Sequence, residues 1–177
     1  MSSAPIPCHI RPEVPKDYPL IDAINTEAFG QHNESLLIRA LRKRSDFDPR
    51  LSLVAEVNGN PIGHILFTPI DIQSPNISFG SLALAPMSVL PKYQKRGIGT
   101  SLIKAGIAQA RQLGFKSIIV LGHAKYYPKF GFEPASSRSI KAPFEVPDEA
   151  FMALELIKSG LEGVSGTVVY PEEFQEV

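Results

Sequence analysis

The sequence predicts an α+β fold, and three observations carry that expectation. Apolar, β-branched runs alternate with stripes at helical spacing along the whole chain. Near the middle a strand pattern, a helix pattern and a second strand pattern follow one another directly, as in a strand–helix–strand unit. The 177 residues, 44% hydrophobic and 20% charged, suffice for one ordinary core and are too few for two. A single domain over 1–177 is therefore expected, with its core from about residue 9 to 174.

Taken in order, His9–Arg11 reads as a short strand closed by Pro12. Asp17 is placed to cap a helix whose first turn tolerates Pro19; Leu20, Ile21, Ile24, Ala28 and Phe29 then define its buried stripe. A second helix from Glu34 to Lys43 sets Leu36, Leu37, Ala40 and Leu41 inward, with Arg39, Arg42 and Lys43 on a solvated face. Two strands follow, Leu51–Val57 and Ile62–Ile70, joined by Asn58-Gly59-Asn60-Pro61, where Asn-Gly supplies the positive φ of a hairpin turn. After a turn at Pro75 and Asn76, Ile77–Leu90 reads as one long strand. Pro86 cannot donate to a ladder, so a bulge or splay is expected there.

From Gly97 a helix pattern takes over, with Ile98, Leu102, Ile103, Ile107, Ala110 and Leu113 on one face and Gly114 as its stop. Ser117–Leu121 is apolar on both faces, as a central strand is. Ala124–Phe130 reads as a short helical stretch, Pro134–Pro147 as loop, and Phe151–Ile157 and Gly166–Tyr170 as closing strands. No internal repeat or linker interrupts the chain.

Composition removes several function classes. Lys+Arg and Asp+Glu both number 18, so the formal charge is zero and no global field gathers nucleic acid or an anionic membrane; an anion site has to be built locally. The lone Cys8 forms no internal disulfide and fits a reducing compartment. Met1 to Pro7 lacks the pattern of a secretory leader, and no run approaches the ~18–20 apolar residues of a membrane helix. A cytoplasmic protein with no metal site is the expectation.

The informative segment is Val89-Leu90-Pro91-Lys92-Tyr93-Gln94-Lys95-Arg96-Gly97-Ile98-Gly99-Thr100: a strand, a glycine-bearing turn and a helix N-terminus in succession. The first turn of a helix has N–H groups without internal partners and a partly positive dipole end, so a phosphate is stabilised there if nothing blocks its approach. Gly97 and Gly99 carry no Cβ, and Lys95 and Arg96 add local charge. A P-loop needs Gly-Lys-Ser/Thr, and Gly99 is followed by Thr100; a dinucleotide fingerprint needs a third small residue where Leu102 stands. Neither pattern is met.

What remains, Gln94-x-x-Gly97-x-Gly99, resembles the pyrophosphate arm of the GNAT (GCN5-related) N-acetyltransferases. Leu121-Gly122-His123 followed by Tyr126-Tyr127-Pro128-Lys129-Phe130-Gly131-Phe132 is similar to the YhbS-like branch of predicted N-acetyltransferases, and the resemblance runs from about His9 to Phe174. It implies the GNAT fold, a mixed central sheet splayed around an acetyl-CoA site. It also implies a cosubstrate held by the strand residues Met87, Ser88 and Val89 through pantetheine and by Gln94, Lys95, Arg96, Gly97, Ile98, Gly99 and Thr100 through pyrophosphate. The implied activity is acetyl transfer to a primary amine by direct attack in a ternary complex.

The family's frequent tyrosine falls on Tyr127, the expected general acid for the departing thiolate; packing on the cofactor or in the core is the other reading. The base stays open. Leu82–Leu90 has no carboxylate, where many family members have a glutamate; His123, Glu27, His64 and water are the candidates. The acceptor is a small-molecule or peptide amine, and a homodimer through the closing strands is an open expectation. A GNAT-fold module that senses acyl-CoA without turnover, or serves in protein contact, is the alternative.

Overall fold

The computed structural model of the chain describes residues 4–177; Met1 to Ser3, where the stretch read for a leader begins, lie outside the described residues. Among the described residues are nine strands and three α-helices, joined by short 3-10 turns, and no helix is long and apolar enough to cross a membrane. By its internal contacts the chain divides into two compact units, 1–67 with 85–109 and 173–177, and 68–84 with 110–172.

The first unit begins with β1 (His9–Pro12), antiparallel to β2 (Ser52–Val57), which is antiparallel to β3 (Asn60–Gln73). The β2–β3 hairpin closes as the sequence predicts: Asn58 and Gly59 have φ of 51° and 76°, the two left-handed residues of a type I′ turn. Between β1 and β2 lie α1 (Tyr18–Phe29) and α2 (Asn33–Leu41). Ile21, Leu37, Ile38 and Leu41 pack with Val54 and Leu66 in one core. From Ile62 to Thr68 every residue of β3 is buried, so both faces of that stretch are covered.

The second unit holds the start of β4 (Ser78–Val89), parallel to β5 (Ser117–Leu121) at Leu82↔Ile118 and Ala83↔Ile119. Between β4 and β5 the chain forms α3 (Ile98–Gln112), the expected strand–helix–strand unit. Two-residue β6 (Glu133–Pro134) pairs antiparallel with β8 (Phe151–Glu155), and β8 with β5. Two-residue β7 (Ile140–Lys141) runs parallel to β9 (Gly166–Val169), whose other edge is antiparallel to the end of β3. Two parallel pairings, β4 with β5 and β7 with β9, among several antiparallel ones make the sheet mixed, as the resemblance implies. Gly114 closes α3 with φ of 88°, and the Phe115 N–H returns to the Ala110 carbonyl at 3.1 Å, a Schellman-type stop.

Several local expectations are corrected. Leu20, Phe29 and Leu36 are exposed: both helices carry consecutive apolar residues, and the covered faces are Ile21/Ile24 and Leu37/Ile38/Leu41. Asp17 does not cap α1 with its side chain; its carboxylate accepts from Arg11 at 2.7 and 3.0 Å and from the Val14 N–H at 2.9 Å. Arg42 does not face solvent but lies buried against Glu13. Ala124–Phe130 is a turn followed by a 3-10 turn over Tyr127–Phe130, and the stretch read as loop after Pro134 contains β7 and a 3-10 turn over Ala135–Arg138.

Candidate functional site

In the first unit β4 runs unbroken through Pro86 to Val89 and delivers the chain to the arm. Leu90 is extended (φ −50°, ψ 134°), as a residue before proline must be, and Pro91 opens a 3-10 turn over Pro91–Tyr93. Gln94 is extended again, Lys95 takes φ of 58°, and Gly97 takes φ of 84° before α3 begins at Ile98. A left-handed residue at 95 and another at 97 curl the backbone, and such a curl gathers successive N–H groups into an anion-binding concavity. The Gly97 carbonyl accepts the Ser101 N–H at 3.0 Å, which starts the helix ladder and leaves the Ile98 and Gly99 amides without an acceptor inside the helix. No acidic residue stands in that first turn.

Gly97 is demanded by conformation rather than by crowding. A Cβ there would find only the Pro5 Cβ, 3.8 Å away, while φ of 84° is a region L side chains rarely enter. The seat of α3 does depend on crowding. A Cβ on Gly63 of β3 would stand 3.2 Å from Ile98 Cγ2, Leu102 Cδ1 and the Ser88 carbonyl, and one on Gly106 would run into the Phe67 ring. Neither glycine is singled out by motif; an isolated glycine inside the α3 pattern was the available signal.

Of the sequence-predicted residues, Met87, Ser88 and Val89 end β4, with Ser88 and Val89 buried. The Ser88 hydroxyl and the Arg96 Nε are buried polar atoms without a partner among the described residues; next to the arm, two such groups fit a ligand that hydrogen-bonds there. The Gln94 amide donates to the Val89 carbonyl at 3.0 Å, so this side chain ties the arm to the strand end. The Leu90 N–H donates to Ile62 at 2.9 Å.

Charge is arranged unevenly along the chain, a feature total composition hides. Residues 72–132 contain eight Lys and Arg and no Asp or Glu; all 18 acids and the other ten cations lie outside that stretch. The arm itself, with Lys92, Lys95 and Arg96 and no acid, is therefore cationic although the whole chain is neutral.

Tyr127 is in the second unit, at the start of its 3-10 turn. It is 7% exposed and packs edge-on against Tyr126 and Phe132, with ring centroids 5.3 and 5.6 Å away. A Cβ on Gly122 would overlap its ring, which explains the Leu121-Gly122-His123 sequence ahead of it. Burial, with a smaller contribution from Tyr126, pushes the phenol up to about 12. The His123 carbonyl receives the Tyr126 and Tyr127 N–H groups at 3.0 and 3.3 Å, and its ring side is exposed.

The base candidates separate on burial. Glu27 is exposed on α1. His64 is fully buried, with Nε2 2.8 Å from Ser52 Oγ and 3.6 Å from Glu13 Oε2, so it has no route to an acceptor amine and is removed as a base. Its Nδ1 has no partner among the described residues; a proton there would be a buried donor without an acceptor, and burial holds the ring below its usual titration range. Glu13 in turn receives the Arg42 guanidinium at 2.9 and 2.8 Å, and Arg42 stacks 3.8 Å over the Tyr18 ring. Among the described residues no group of His, Cys, Asp and Glu could hold a metal ion.

A strand–turn–helix junction of this kind, with a glycine-bearing curl and cations in the turn itself, has the chemistry that suits an anionic ligand at a helix N-terminus. The model of the acetyltransferase (GNAT) family matches residues 18–132, and the chain belongs to that family. It is 41% identical over 130 residues to the uncharacterized N-acetyltransferase YjhQ of Escherichia coli K12, covering 73% of this chain and 72% of that one. It is 32% identical to the uncharacterized N-acetyltransferase YhbS of the same strain, covering 93% and 97%. The crystal structure of E. coli YhbS in complex with CoA superposes with a TM-score of 0.88 at 30% identity over 99% of this chain and 96% of that one. A GNAT acetyltransferase from Brucella melitensis in complex with acetyl-CoA gives 0.77 at 33% identity over 95% and 98%.

Proposed function

We propose that this protein transfers an acetyl group from acetyl-CoA to a primary amine within a ternary complex, as a cytoplasmic enzyme. The observation that carries the reading is the arm: left-handed turns at Lys95 and Gly97 feeding an acid-free helix start, in a chain whose relatives include proteins crystallised with CoA and acetyl-CoA. In this reading the amides of Gly97, Ile98 and Gly99 hold the pyrophosphate together with Gln94, Lys95, Arg96 and Thr100. The backbone of Met87, Ser88 and Val89 lines the pantetheine, with an N–H near Val89 polarising the thioester oxygen.

Acetyl-CoA supplies the thioester. The lone pair of an uncharged amine forms the new C–N bond at its carbonyl carbon, and the C–S bond then breaks with its electron pair on sulfur. The amine loses one proton and the released thiol gains one, so the reaction balances without an oxidant or reductant. Tyr127 is the proposed donor to the sulfur. A phenol pushed up to about 12 stays neutral through the physiological range, yet it exceeds a thiol of pKa ~8.5 by roughly 3.5 units, or about 5 kcal/mol against full transfer. Its contribution is therefore a hydrogen bond that strengthens as charge builds on sulfur, with the thiol's proton finally drawn from solvent. For the amine's proton, the exposed His123 and water remain the candidate acceptors.

Replacing Tyr127 by Phe should lower turnover about a hundredfold or more, with the acetyl-CoA Kd within about twofold of wild type. Release of CoA with a panel of primary amines measures the first and calorimetry the second; unchanged turnover would remove the donor from the mechanism. One observation favours a second reading. No carboxylate stands on β4, as befits an acyl-CoA-binding sensor, and tight acetyl-CoA binding without CoA release across the panel would select it.

A further inference from the structure

The stretch Ala4–Pro7 lies along the arm. The Ile6 N–H donates to the Arg96 carbonyl at 3.1 Å, and the Pro5 Cβ stands 3.8 Å from where a Gly97 Cβ would be. The sequence around that bond is Pro5-Ile6-Pro7. Neither proline has an N–H, and Pro7 confines Ile6 to extended backbone, so the triplet is a stiff segment with one backbone donor. That single donor is spent on the peptide unit that joins Arg96 to Gly97.

We propose that Pro5-Ile6-Pro7 is a strap that aims the Gly97 amide at the CoA pyrophosphate, with Ile6 as a positioning residue for cosubstrate binding; this rests on the arm being the pyrophosphate site. The reason is geometric. In a planar trans peptide the carbonyl of one residue and the N–H of the next point in opposite directions. Holding the Arg96 carbonyl toward the strap turns the Gly97 N–H away from it. Gly97 is also the residue whose freedom most needs fixing, since glycine visits left- and right-handed conformations with nearly equal ease. Without the strap the 96–97 peptide can flip, and the phosphate then meets a carbonyl oxygen instead of an N–H. Pro5 covers the same turn from the side where a Cβ would project, which keeps that turn from swinging outward.

The test compares Ile6→Pro, which removes the donor and keeps the extended geometry, with Ile6→Ala, which keeps the donor. Each is titrated with acetyl-CoA, and the Ki of S-acetylpantetheine, the same thioester arm without phosphate, is read by displacement. Ile6→Pro should weaken acetyl-CoA about tenfold and leave S-acetylpantetheine within about twofold, with Ile6→Ala near wild type for both ligands. Slowed exchange of the Ile6 amide in the free wild type is the expected companion result.

An unchanged acetyl-CoA Kd in Ile6→Pro, an equal loss of both ligands, an equal loss in Ile6→Ala, or exchange of the Ile6 amide at the unprotected rate would each overturn the strap. The underlying reading fails separately: a Gly97→Glu, Gly99→Glu variant that still binds acetyl-CoA like wild type would show that the arm is not the phosphate site.

Discussion

At Tyr127 burial sets both chemistry and stability. Its phenol is raised from about 10 in the unfolded chain to about 12 in the folded protein, so above pH 10 the unfolded chain loses a proton that the native state retains. Stability from this group is complete below pH 10 and declines by up to about 3 kcal/mol as pH rises to 12; urea melts across that window should show this loss in wild type and not in Tyr127→Phe, which has no phenol to titrate. The acid side is governed by Glu13 and His64. Burial pushes Glu13 up, but the facing His64 ring and the hydrogen bonds from Arg42 outweigh it and bring the carboxyl down to about 2, a contribution held above pH ~4.5 and lost toward 2. His64, lowered by burial, begins the acid loss earlier, as the unfolded chain takes up a proton below pH ~6.5. At Gly97 the constraint is φ of 84°, since a Cβ there would meet only an ordinary contact with Pro5. Gly97→Ala should therefore weaken acetyl-CoA about tenfold through a left-handed penalty of roughly 1–2 kcal/mol, with a shift in Tm of only a few degrees.

Among the elements, the α3 start depends on how closely β3 approaches it. Gly106 lies against Phe67, so Gly106→Ala gains up to ~1 kcal/mol of helix propensity and loses more to overpacking. A lower Tm in Gly106→Ala, recovered in the double variant with Phe67→Leu, is the expected pattern in thermal melts. The segment after β1 is tied to the end of α2 by Glu13 and Arg42, both buried; Glu13→Gln leaves the guanidinium buried with a weakened partner and should cost about 3 kcal/mol or more. Element existence was legible in the sequence: the Asn58-Gly59 hairpin, the strand–helix–strand unit and the Gly114 stop each stand where spacing and turn chemistry put them. The helix faces were less so. Leu36-Leu37-Ile38 offers apolar side chains on both sides of α2, and only the packing of Val54 and Leu66 decides which are covered. The role of Asp17 was equally invisible, because its partner Arg11 lies on a strand and no local rule connects the two.

For the whole molecule, the arm could be read from Gln94-x-x-Gly97-x-Gly99 because its chemistry is local: glycine conformations, a helix start and neighbouring cations. The Pro5-Ile6-Pro7 contact and the burial of His64 could not, since each depends on segments distant in sequence meeting in the fold. Net neutrality was a poor guide as well. Lys92, Lys95 and Arg96 stand in the arm itself with no acid among them, so acetyl-CoA binding should weaken with salt well beyond what a neutral chain suggests. The most direct measurement is calorimetric titration of acetyl-CoA into the wild type and the Gly97→Glu, Gly99→Glu variant. A wild-type Kd on the order of micromolar, lost in a variant that remains folded, is the predicted result. No binding by folded wild type, or equal binding by both proteins, would contradict an acetyl-CoA site on the arm.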